Sequence, residues 1–164
     1  MNAEQQFVDV GLRAWRQAVD RSDAFFRGLT DEQLQQQVAP GRNRLVYLWG
    51  HLAAVHDRML PLLGVGPRLH PELDEPFLEK PDQPGQPMLS AAKLAAIWTE
   101  VNSALATGVA SWTPADWLAR HTSVSEEDFA KEPHRNRFSV LLSRTAHLAS
   151  HHGQVVLTQK RDAE

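Results

Sequence analysis

Cysteine is missing from this 164-residue chain, and its absence removes disulfides, thiolate metal ligands and a cysteine nucleophile at once. Any sulfur chemistry must therefore be brought by a ligand. No apolar run approaches the roughly 20 residues that a membrane span requires, so a soluble chain with no membrane partner is expected. Charge of one sign is lacking too. Seventeen basic residues stand against 20 acidic ones, for a formal net charge of -3, and the basic residues are scattered, which leaves no electrostatic footprint for nucleic acid. The N-terminus, Met1-Asn2-Ala3-Glu4-Gln5-Gln6, has neither the basic n-region nor the apolar h-region of a secretion signal, and a cytoplasmic location is expected. No β-strand pattern of comparable strength to the helical ones occurs.

Helical periodicity is what the chain has instead. A hydrophobic content of 42% with 23% charged residues suits a globular protein, and the length suits one core, so residues 1–164 are expected to form a single all-α domain. Residues 3 to 28 place Phe7, Val10, Gly11, Ala14, Trp15, Ala18 and Phe25 at three- and four-residue steps, an amphipathic helix. Thr30 and Gln33 read as a capping box starting a short helix, closed by the turn at Pro40-Gly41. A second long helix over about 43 to 63 carries Leu45, Leu48, Leu52, Val55, Met59 and Leu62. Ser90 caps a third, whose Leu94, Ile97, Trp98, Val101, Leu105, Val109 and Trp112 predict a helix running to about 112. Thr113-Pro114-Ala115-Asp116 starts a further short helix. After a polar loop through His121 and His134, Phe138, Leu141, Leu142, Leu148, Ala149, Val155 and Val156 mark the fourth long helix, ending near the charged tail 160–164. Long, short and long helix thus occur twice, hinting at a pseudo-repeat.

Between Gly64 and Pro87 lie six of the ten prolines, at 67, 71, 76, 81, 84 and 87. Regular helix is nearly excluded there and an extended path favoured. Two helices running the same way need such a long connection, and the predicted fold is a four-helix bundle, up-down-down-up, with this crossover between the second and third long helices.

Eight histidines are where the composition is unusual. His147 and His151 lie four apart, so their rings project from one helix face and can share one ion. A catalytic metal takes about three protein ligands and keeps a position open. The second long helix offers His51 or His56 as the third, each about 70° from its apolar seam at ~100° per residue, and periodicity does not choose between them. The same arithmetic puts His152 within the apolar stripe of the last helix and the His147/His151 pair more than about 90° from its centre, facing a cleft beside the core. His152 reads as a core or boundary residue, and His70, His121 and His134 as exposed loop residues without chemistry. Trp15, Trp49, Trp98, Trp112 and Trp117 read as core or interface packing.

Gly50-His51-Leu52-Ala53-Ala54-Val55-His56 and His147-Leu148-Ala149-Ser150-His151-His152-Gly153-Gln154 resemble the two metal motifs of the DinB-like superfamily, and the order of elements agrees over most of the chain. The resemblance implies an up-down-down-up bundle whose three histidines hold zinc, nickel or a similar divalent ion with an open coordination position. It selects His51 over His56, making His51, His147 and His151 the expected metal ligands. The family commonly has arginine where this chain has His152, which suggests a role for His152 in orienting a ligand or bound water.

Relatives in this family include transferases and isomerases that use low-molecular-weight thiols, and others known only as stress-associated proteins. Three functions are therefore expected in turn: a metal-dependent thiol S-transferase acting on a small-molecule electrophile; a metal-dependent hydrolase in which His56 or His152 serves as general base; or a non-catalytic bundle that binds a metal or small ligand, or forms a homodimer through exposed aromatic faces.

Overall fold

The computed structural model describes residues 2–159. Its secondary structure is helical: α1 (Ala3–Arg27), α2 (Leu45–Leu63), α3 (Ala91–Gly108), α4 (Pro114–Leu118), α5 (Glu126–Lys131) and α6 (Arg137–Val155), with single-turn 3-10 segments at Gln33–Gln35, Pro71–Leu73 and Val156–Thr158 and a π-turn at Glu75–Glu79. Among the described residues there is no strand, only two isolated bridges, Gln37 to Arg44 and Arg120 to Asn136. These bridges close the loops that lead into α2 and α6, a structural echo of the pseudo-repeat. No described helix is long and apolar enough to cross a membrane. The charged tail at 160–164 lies outside the described residues.

Three of the four long helices, α1, α3 and α6, begin where the sequence supplies a side-chain cap. The Asn2, Ser90 and Asn136 side chains accept from the backbone N–H of Gln5, Lys93 and Ser139, satisfying donors with no partner inside the helix. Helix α2 is the central element: 14 of its 19 residues are buried, more than an amphipathic surface helix would hide. It ends at Gly64, whose φ of 76° is the left-handed conformation a helix stop favours.

The neighbours of each helix give its direction. Phe26 of α1 stacks on Trp49 and Trp15 lies beside His56, so α1 and α2 run oppositely. Phe26, Trp49 and Ala92 share one end of the bundle, His56 meets Trp98 and Asn102 in the middle, and Val65 meets Gly108 at the other end. Helices α2 and α3 therefore run in the same direction, joined by the proline-rich crossover. Gly11 packs on Phe138 and Phe25 on His152, so α1 and α6 also run together.

Several boundaries differ from the sequence expectation. Helix α3 stops at Gly108 rather than near 112: a side chain at Gly108 would collide with Val65, and the chain turns there so that Trp112 stacks edge-on to Trp117 and lies under Arg137. The Thr30–Gln33 capping bonds form in both directions but start only the 3-10 turn Gln33–Gln35. The polar loop after α4 contains α5, capped by Ser125 with Glu126, Glu127 and Asp128 in its first turn; because it buries no residue it has no apolar period to betray it. Two apolar stripes are narrower than the sequence predicts. Phe7 and Val10 of α1 are 73% and 68% exposed, and Leu142 and Val156 also face out.

The crossover is not merely extended. Its two helical turns bury Leu73 and Phe77 against α2. Polar anchors hold it: fully buried Asp57 accepts from Arg68 Nε and from the N–H of Leu69 and His70 at 2.6–3.1 Å. Arg44 meets Asp82 at 2.7 Å with both side chains almost fully buried, and its remaining donors reach the oxygens of Gln35, Gln83 and Gln86. A charge buried to that degree is tolerated only when fully bonded. The segment over α2 is thereby fixed in place, which matters for the site beneath it.

Candidate metal centre

Helices α2 and α6 bring His51, His147 and His151 together. Nε2 of His147 stands 3.2 Å from Nε2 of His51 and 3.1 Å from Nε2 of His151, and one ligand atom from each lies within 4.8 Å of the others. Two imidazoles on a tetrahedral ion at about 2.0–2.1 Å stand about 3.3 Å apart, so the spacing is close to what one divalent ion requires. All three residues are partly buried. The buried face of α6 is set by Val140, Leu141, Leu148 and Val155; at about 100° per residue its centre lies roughly 40° from His151 and 80° from His147. The pair is nearer the core than the wider stripe including Leu142 and Val156 implied.

The outer ring nitrogens decide which way the lone pairs point. Nδ1 of His51 donates to the carbonyl of Phe77 at 3.0 Å, and Nδ1 of His151 donates to Oε1 of Gln154 at 3.1 Å. With Nδ1 carrying the proton, Nε2 of each ring is bare and aimed at His147. A single proton on His147 Nε2 cannot serve both well, and His147 Nδ1 is itself buried with no partner. A cation at the meeting point satisfies three converging lone pairs, and this donor set of three imidazoles fits a divalent transition metal.

Electrostatics favour the neutral form of His147 and His51. Burial pushes the pKa of His147 down to about 4, helped by the neighbouring charges of His151, His51 and Arg144. His51 is lowered chiefly by burial, against the opposing bond to Phe77, with His151 and Arg144 adding to the lowering.

Phe77 and Gln154 were not anticipated as orienting groups. Gln154 stands three residues after His151 on the same helix, a spacing visible in the sequence. Phe77 comes from the π-turn of the crossover, 26 residues from His51, and only its neighbour Gly50 gave a signal: the Phe77 ring occupies the space a Gly50 side chain would need.

The other histidines are dispersed. His56 is fully buried, stacked on Trp98, with Nδ1 donating to Oδ1 of Asn102 at 2.8 Å. Asn102 Nδ2 is committed to the Trp98 carbonyl, so the tautomer of His56 is fixed and its Nε2 has no partner. Burial depresses its pKa to about 4. His152 faces α1, edge-on to Phe25, with its pKa lowered by burial. Neither residue hydrogen-bonds to the triad. His134 is exposed as expected. His70 is not: its side chain is only 12% exposed and bridges Glu72 and Glu100 at 3.0 Å each. Burial works against its charge, but the two carboxylates prevail and raise its pKa. His121 is also partly covered, and its Nδ1 is buried. Four tryptophans are core residues, and Trp112 packs at the core's edge.

A cleft of about 540 Å³ opens beside His151. Val38, Leu48 and Leu157 form its apolar side, with Arg42, Asn43 and Gln154 as polar groups. It gives the triad a reachable neighbouring volume of small-molecule size.

Residues 14–155 match the sequence model of the DinB superfamily, a span that contains all three histidines and both orienting residues. Comparison with curated proteins yields no match.

Proposed function

The chain belongs to the DinB superfamily, and from that premise we propose that it is a divalent-metal-dependent enzyme of the thiol S-transferase type, acting on a small electrophile. The observation that carries this reading is the convergence of three imidazole Nε2 atoms beside a cleft. Zinc or nickel suits three neutral imidazoles, and when bound it supplies Lewis acidity that lowers the pKa of a coordinated thiol and holds its thiolate for attack. The chain's own part is positional. Phe77 and Gln154 fix the tautomers of two ligands, the crossover covers the site, and the cleft admits the reactants. The absence of cysteine agrees with a thiol brought from outside.

Hydrolysis is the second reading, since an open metal position also activates water. The fully buried state of His56 and the orientation of His152 toward Phe25 argue against either as its general base, and the thiol reading is preferred. A homodimer, if formed, has exposed Phe7, Val10 and Leu142 as apolar surface.

The test is metal content of untagged protein by mass spectrometry beside His51→Ala and His147→Ala. The expected result is about one ion per chain, lost in both variants while helicity survives, and turnover of a chloronitrobenzene-type electrophile only with metal and thiol together. Ester turnover without thiol would favour hydrolysis; no ion taken up after incubation with zinc or nickel would refute the metal reading.

A further inference from the structure

The charge around the triad is one-sided. Arg144 is the guanidinium whose charge acts on both His51 and His147. Arg144, one turn before His147 on α6 and on the same face as His147 and His151, has a buried Nε with no acceptor. Among the described residues no carboxylate pairs with it, and no acidic residue lines the cleft beside His151. The side chain of Arg42, in that lining, likewise has no hydrogen-bonded or ionic partner among the described residues. Nearby Arg44, by contrast, is fully satisfied by Asp82. A positive cleft in a chain of formal net charge -3 is a local feature, not a consequence of composition.

Resting on the metal reading above, we propose that the cleft binds an organic anion, with Arg42 contacting its oxyanion group, Arg144 supplying positive potential from behind the imidazoles, and the side formed by Val38, Leu48 and Leu157 taking its apolar body. Three neutral ligands leave the full charge of a divalent ion in place, and an added half-buried guanidinium makes an anionic occupant the one that electrostatics favours. Substrate or thiol therefore carries a carboxylate or a similar oxyanion.

The experiment uses hexanoate, hexanol and hexylamine as matched probes, followed through the side-chain amide resonances of Asn43 and Gln154, in metal-free and in zinc-loaded protein. Hexanoate is expected to shift both resonances saturably in the metal-free chain, with affinity about fivefold or more above hexanol, as a charge-assisted bond to arginine provides, and with hexylamine weakest. Arg42→Gln should bring hexanoate down to the level of hexanol while leaving hexanol unchanged, and Arg144→Gln should reduce the preference without abolishing it. Zinc should tighten hexanoate further. If zinc leaves all three affinities unchanged, the open metal position is refuted and the anion cleft stands. Equal affinity for the three probes, or a preference untouched by Arg42→Gln, overturns the proposal.

Discussion

Gly50→Ala isolates the link between the crossover and the metal centre. A methyl group at Gly50 falls well inside the van der Waals radius of the Phe77 ring, and that ring is 1% exposed, so it has nowhere free to go. Overpacking of this kind costs about 1–3 kcal/mol, set against a gain of up to ~1 kcal/mol from replacing glycine by alanine in a helix, for a net loss of roughly 0–2 kcal/mol. The larger effect is on the site. Displacing Phe77 moves its carbonyl away from His51 Nδ1, and loss of such an orienting bond weakens metal affinity by about 10–100-fold. Gly153→Ala is the control, because it lies in the other motif with nothing within 4 Å of the new methyl group; it should be neutral or stabilising and leave the metal affinity alone. Stability is measured by urea denaturation of metal-free protein, and affinity by competition with a zinc chelator. Zinc binding in Gly50→Ala as tight as in Gly153→Ala would refute the role given to Phe77.

Gln154→Leu removes the acceptor for His151 Nδ1 from an exposed position, so about tenfold weaker zinc binding with an unchanged denaturation midpoint is expected in the same competition assay. Arg44→Met takes the guanidinium from Asp82 in a site where both side chains are almost fully buried, leaving it the N–H of residue 44, which should cost about 3–5 kcal/mol by denaturation; a loss below 1 kcal/mol would show that water replaces the guanidinium. His56 titrates near its ordinary 6.5 when unfolded but at about 4 when folded. Between these values the unfolded chain binds the extra proton, so stability falls as pH drops from about 6.5 and levels off below about 4, by roughly 3 kcal/mol in all. Wild-type stability minus that of His56→Leu, measured across pH, should show this window, and a flat difference would contradict the burial argument.

Much of the architecture was legible because helical caps and apolar periods are local signals. Ser90 and Thr113 mark their helices in both sequence and structure, and the i, i+4 spacing of His147 and His151 places two candidate site residues on one face with no tertiary knowledge. Local signals failed where packing decided the outcome. Helix α5 buries nothing and so wrote no period; α3 ends at Gly108, where the backbone lies close against Val65; His70 is bridged by acids two and thirty residues away.

The sequence by itself determined the helical class, the absence of a thiol, and the histidine pair of the candidate metal centre, because these depend on residue type and on spacing along one helix. The choice between His51 and His56 shows what it lacked. Both flank the same seam at similar angles, and only the family resemblance separated them. Tertiary structure separates them in space: His51 meets His147 of α6, while α3 and its Trp98 and Asn102 close over His56. Tautomers, the Phe77 carbonyl and the positive cleft were likewise beyond the sequence, since each depends on which segments, distant along the chain, the bundle and its crossover bring within a few ångströms.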